Sequence, residues 1–210
     1  MLWSCSESQQ KPGHHLHSCL SRRTHECYSV KMAAGFRALT AEEISRNIQT
    51  NRNVTISIEN NSDFSLTNPR TYTFSGYNVD PPHPTINAKT TAVCSFSKTS
   101  FTACGAVGVL TYDVIKNNDA VECIAMMFSV PFDYNLYKNL FAIGSFSVRT
   151  SCDNALYIRM YQEWVEGFIR GQATDGIIKF TGKAVEIKAT MSPAGRSIMK
   201  IEVWNKPLCA

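Results

Sequence analysis

At 210 residues, with 44% hydrophobic and 18% charged side chains, the chain is long enough for one domain with a sizeable core, which excludes a largely disordered protein. A net charge of +4 is mild and lacks the concentrated basic patch of a dedicated nucleic-acid binder, so nucleic acid is not an expected partner. No apolar run approaches the ~20 residues a helix needs to cross a bilayer. The start, Met1-Leu2-Trp3 followed by polar residues, has no signal-peptide apolar segment, so a soluble product made in the cytosol is the default expectation.

Residues 1–36 differ from the rest of the chain. They carry His14, His15, His17 and His25, the thiols Cys5, Cys19 and Cys27, a Pro12-Gly13 breaker and no useful periodicity. A zinc module needs paired ligands at short, regular spacing, and these residues do not supply it, so no metal or other cofactor is assigned. The stretch reads as a disordered tail. Met32-Ala-Ala-Gly-Phe has the look of a natural start, which would make residues 1–31 non-native, and the folded domain is expected over 37–206.

Thr40 followed three residues later by Glu43 is a capping box, with Leu39 and Ile44 placed as a hydrophobic staple, so a short helix is expected from Ala41 to about Ile48. Strand patterns come next, at Val54–Glu59, Phe64–Leu66, Thr71–Phe74, Thr90–Ser97 and Ala106–Ile115. Turn clusters at 60–63, 75–76 and 81–84 separate them, and 116–119 reads as a hairpin turn. His83, among prolines, is expected to be an exposed turn residue.

Cys123 to Val130 is an almost unbroken apolar run, as a strand buried on both faces would be, and Pro131 should end it. The loop expected after it interleaves Phe132, Tyr134, Tyr137 and Phe141 with Asp133, Asn135, Lys138 and Asn139. That mixture is too polar for a core and too aromatic for an ordinary connection. Tyrosine joins a flat apolar body to a polar tip, which suits a membrane–water interface or a cage for a quaternary ammonium group.

Beyond the loop, Ser145–Arg149 reads as a strand. A helix over about Asn154–Trp164 is expected after Ser151 or Asp153, with Leu156, Met160, Tyr161 and Trp164 at helical spacing. Val185–Met191 and Ser197–Trp204 close the chain as strands joined by residues 192–196. The sum is an all-β class: an antiparallel β-sandwich flanked by two short α-helices. Eight cysteines do not make a disulfide framework necessary in a chain of this size, and Cys94, Cys104 and Cys123 are expected to be buried thiols. There is no Gly-rich phosphate loop, zinc-protease helix or nucleophile elbow, and Ser129 has no evident base, so no enzymatic activity is expected.

Phe-Ser-Val-Pro-Phe-Asp-Tyr-Asn at 128–135, continuing through Tyr137 and Asn139, resembles the signature of the actinoporins, the sea-anemone pore-forming cytolysins and their relatives in other animals. Tyr72–Gly76, Ala103–Val107, Gly167–Gly171 and Met191–Gly195 resemble further family segments, so the likeness covers about residues 40–204. It implies an actinoporin-like member from an animal other than an anemone, with the cytolysin/lectin type of sandwich. It also implies binding to phosphocholine head groups, of phosphatidylcholine or sphingomyelin, and a homo-oligomeric pore acting at a target cell membrane. Carried over residue by residue, the implied head-group site is Ser75, Val107, Ser129, Pro131, Tyr137 and Tyr161. The implied membrane-facing loop is Phe132, Tyr134, Leu136, Leu140 and Phe141.

The departures weaken lipid contact. Val165 and Glu166 stand where the family has two tyrosines, Phe74 where it has an arginine, and Leu136 and Leu140 where it has loop tryptophans. The family's RGD triplet is absent, Arg170-Gly171 continuing as Gln172. A helix over 41–48 is also far shorter than a bilayer-spanning one. The alternative reading is a carbohydrate-binding, lectin-like module without pore activity, supported by fold analogy alone.

Overall fold

In the computed structural model, which describes residues 39–207, two six-stranded sheets pack face to face. The tail expected over 1–36 lies outside the described residues. The first element is α1 (Ala41–Asn47), and its start is set locally. The Thr40 hydroxyl accepts the Glu43 N–H at 3.2 Å while the Glu43 carboxylate accepts the Thr40 N–H at 2.8 Å. Ala41 and Ser45 are its buried residues, whereas Leu39 remains 56% exposed.

One sheet is built around β1 (Asn53–Asn60), which pairs antiparallel with β5 (Thr90–Ser97) and parallel with β12 (Arg196–Asn205). With β3 (Tyr77–Asp80), β10 (Ile178–Thr181) and β11 (Val185–Met191), the order is β10-β11-β12-β1-β5-β3. The other sheet contains β2 (Ser65–Ser75), β4 (Thr85–Ile86), β6 (Ala106–Lys116), β7 (Asp119–Val130), β8 (Leu140–Phe146) and β9 (Phe168–Gln172), in the order β4-β2-β6-β7-β8-β9.

The apolar run in β7 is explained by its two different covers. Ile124, Met126, Phe128 and Val130 point between the sheets, joining Val54, Ile56, Leu110, Ile187 and Ile201. Ala125 and Met127 point outward, where α2 (Asn154–Gln162) covers them with Leu156, Tyr157 and Met160. Each buried Val, Leu, Ile, Met or Phe among these contributes roughly 1.5–3 kcal/mol of transfer free energy. Asp153 caps α2, its Oδ1 accepting the Leu156 N–H at 3.1 Å. The β6–β7 hairpin turns on Asn117 (φ 51°) and Asn118 (φ 67°), both left-handed, as a primed two-residue turn requires.

Several boundaries differ from the sequence reading. The two segments expected at 64–66 and 71–74 form one strand, β2, because a register shift between Thr67 and Arg70 absorbs Pro69, with Asn68 at φ 52°. The strand expected over 145–149 begins earlier, at Leu140, where Phe141, Ala142 and Ile143 are fully buried. Helix α2 stops at Gln162, so Trp164 is not on its buried stripe but 89% exposed. The strands β3, β4, β9 and β10 are not among those expected from the sequence, being only two to five residues long, too short for a period-2 pattern to stand out. Cys94 and Cys123 are buried, but Cys104 is half-exposed.

Candidate functional site

Strand register places three of the implied site residues in one row. Ser75 pairs with Val107 across β2–β6, and Val107 pairs with Ser129 across β6–β7. Paired residues project to the same face, here the one α2 covers, and they line a cleft of about 470 Å³. A second register shift, between Thr73 and Ser75, brings Phe74 to the same wall. The Ser75 hydroxyl donates to the Gly105 carbonyl at 2.9 Å. A Cβ on Gly105 would collide with the Val130 carbonyl, so only glycine lets this wall lie against the end of β7.

Helix α2 supplies the aromatic wall. Tyr157 and Tyr161 are four residues apart on one helical face, with ring centroids 5.5 Å apart, and Phe74 stacks on Tyr157 at 4.9 Å. Burial, reinforced by the neighbouring Tyr161, pushes the Tyr157 phenol well above the ordinary tyrosine range, so its hydroxyl stays protonated.

The third wall is the 131–139 loop, which contributes Pro131, Phe132, Asp133 and Tyr137. Its shape is fixed from both ends. Arg52 donates through Nε to the Pro131 carbonyl at 2.8 Å and through Nη2 to the Phe132 carbonyl at 2.7 Å, and its guanidinium lies 4.4 Å above the Tyr134 ring. Lys98 sits 5.0 Å over the Phe132 ring and donates to the Thr102 carbonyl. At the far end, buried Asn139 donates to the carbonyls of Ser192 and Ala194 and accepts from the Tyr134 hydroxyl at 2.8 Å. Asp133 closes the turn, its Oδ1 accepting the Asn135 N–H at 2.8 Å. Asp133 is also the one charged residue among the described residues that line the cleft.

Ser75, Val107, Ser129, Pro131, Tyr137 and Tyr161 thus come from four separate segments to one cavity. The membrane-facing set does not stay together. Phe132 and Leu136 are 41% and 73% exposed, but Phe141 is wholly buried in the core on β8. Leu140 also belongs to β8, paired with Ser129 and half-buried, and Tyr134 is packed under Arg52. The loop ends at Asn139, because the apolar run after it is strand. Val165 and Glu166 lie outside the cleft, beside Trp164 and Arg170.

Sequence reading missed Tyr157, although its position four residues before Tyr161 was a usable signal. It treated Phe74 only as a loss and Asp133 only as one of the polar residues of the aromatic loop, and it gave Cys104 no place in the cavity it lines. Those roles depend on the bulge and on long-range pairing.

The family model for the sea anemone cytotoxic protein matches residues 36–205. The chain belongs to that family, the actinoporins. A family relative, DELTA-stichotoxin-Hcr4a of Radianthus crispa, is 32% identical over 156 residues, covering 74% of this chain and 85% of its own. The family reaches beyond anemones: Bryoporin of Physcomitrium patens is 28% identical over 152 residues, covering 72% of this chain and 83% of its own. Among solved structures, the lipid binding protein Nakanori shares the fold at a TM-score of 0.61 with 10% identity, over 80% of this chain and 77% of its own.

Proposed function

We propose that this chain is an actinoporin-like membrane-lipid-binding protein that takes the phosphocholine head group of phosphatidylcholine or sphingomyelin into the cleft between the 131–139 loop and α2. The observation that carries the reading is the convergence on one cavity of Tyr137, Tyr157 and Tyr161 with Ser75 and Ser129. Ring faces attract a choline cation, and the Ser129 and tyrosine hydroxyls can donate to phosphate oxygens, whereas the Ser75 proton is held by the Gly105 carbonyl. Phe132, Leu136 and Tyr137 are exposed beside the cleft and suited to the interfacial layer of a bilayer.

Oligomerisation and pore formation are the second step of this reading. They are separable from binding, because α1 has seven residues and none of the described helices is long and apolar enough to cross a membrane. Co-sedimentation with sphingomyelin-containing vesicles, run beside dye release from the same vesicles, tests both steps. Binding with release supports a cytolysin, and binding alone supports a lipid-recognition module. Absence of both overturns the proposal.

A further inference from the structure

The charge inside the cleft is one-sided. Among the described residues no Lys, Arg or His lines it, and the single formal charge they bring to it is the Asp133 carboxylate. Oδ1 of Asp133 is engaged by the Asn135 N–H, but no cation pairs with the carboxylate among the described residues. The two cations that grip the loop are committed elsewhere. Arg52 serves the Pro131 and Phe132 carbonyls and the Tyr134 ring, and Lys98 serves the Thr102 carbonyl and the Phe132 ring.

The neutral donors are also few. The Ser75 hydroxyl spends its proton on the Gly105 carbonyl, so toward the cavity it is an acceptor. Ser129 makes no side-chain hydrogen bond among the described residues and can donate, as can the tyrosine hydroxyls. A neutral donor gives a phosphate oxygen roughly half the strength of a charged one. The cationic end of a head group meets more: the outer ring faces of the Phe74–Tyr157–Tyr161 stack on one side and Asp133 and Tyr137 on the other.

Resting on the head-group reading above, we infer that the cleft recognises its lipid by the quaternary ammonium end, with the phosphate contributing little to affinity. The ligand class is a trimethylammonium head group. Phe74 and Asp133 are the residues that set this selectivity, the first by leaving the rim without a cation and the second by placing an anion in the cavity.

Calorimetric titration of the full chain with choline chloride, phosphocholine and sodium phosphate at matched ionic strength tests the inference, beside co-sedimentation with phosphatidylcholine vesicles. Choline and phosphocholine are expected to bind within about threefold of each other, and phosphate not at all. Asp133→Asn keeps the Oδ1 acceptor that closes the turn and removes the charge, so it should weaken choline binding about three- to tenfold. Phe74→Arg should lower choline affinity and make phosphocholine the better ligand by about tenfold. Phosphocholine binding tenfold or more above choline in the unmodified chain, or measurable phosphate binding, overturns the inference. Vesicle binding without choline binding overturns it while leaving the membrane reading intact. Choline binding without vesicle binding supports it and removes the membrane reading instead.

Discussion

Arg52 and Tyr134 form a pair that controls the cleft without entering it: the guanidinium lies 4.4 Å from the ring centroid while Nε donates to the Pro131 carbonyl at 2.8 Å. One side chain immediately before β1 thereby fixes the backbone of the loop that carries Pro131, Phe132 and Tyr137.

Arg52→Ala is therefore expected to weaken vesicle binding by about three- to tenfold and to lower stability by about 1–2 kcal/mol, given hydrogen bonds from a charged donor that is only half-buried. Arg52→Lys should recover part of the stability but little of the binding, since an ammonium cannot span two carbonyls and cover a ring as the planar guanidinium does. Urea melts with co-sedimentation on phosphatidylcholine vesicles read both effects. Unaltered binding in Arg52→Ala would show that the loop holds its shape without this residue.

The two tyrosine positions should separate affinity from stability. Tyr137 is 55% exposed, so Tyr137→Ala should leave the melting temperature nearly unchanged while weakening vesicle binding by about 2- to 30-fold, the range of one cation–ring contact. Tyr157 is 4% exposed in the small core under α2, and Tyr157→Ala should cost about 2–4 kcal/mol of stability. Tyr157→Phe keeps the stack and should bind within about twofold of the unmodified chain. A large loss in Tyr157→Phe would mean that its hydroxyl contacts the ligand.

What the sequence made legible came from local rules. The capping box at Thr40–Glu43, the Asn117-Asn118 turn and the doubly covered β7 strand each rest on residues close in the chain, and all three appear as expected. The convergence of Ser75, Val107 and Ser129 rests on register across three strands, which no local pattern encodes; only the family likeness linked those residues from the sequence. Phe141 shows the converse limit. In the sequence it continues the aromatic loop, but the period-2 alternation of β8 turns it into the core beside Phe128. Edge strand β9 lacks the apolar alternation that marks a strand and β10 shows it over only four residues, and the two are held by pairing with β8 and β11.

Glu122 is a stabilising carboxylate remote from the cleft. It is fully buried and accepts the N–H groups of Lys183, Ala184 and Val185 at 2.8, 2.8 and 2.9 Å, with the Ser145 hydroxyl as a further donor. It thus ties β7 and β8 to the turn entering β11. Glu122→Ala leaves those donors buried without an acceptor and should cost about 3–5 kcal/mol, while Glu122→Gln, which keeps one acceptor oxygen, should cost less. Thermal melts measure the loss, and vesicle binding below the transition should be unchanged. A Glu122→Ala variant as stable as the parent would remove this residue from the account of the fold.

Burial pushes the Cys123 thiol up to about 11, partly opposed by Arg70, and pushes Cys94 up to about 12. Linkage sets the sign. A raised thiol pKa keeps the folded state protonated, whereas the unfolded chain ionises near pH 8.5–9, so the unfolded state binds fewer protons and stability falls as pH rises. The loss should begin near pH 9 and continue to about 11 for Cys123, totalling roughly 2–3 kcal/mol from that thiol. Urea denaturation at intervals from pH 8 to 11 reads the slope. Cys123→Ala should flatten it by about that amount relative to the parent, after allowing for the pH-independent cost of the lost sulfur. Parallel slopes for parent and variant would show that Cys123 titrates alike in both states.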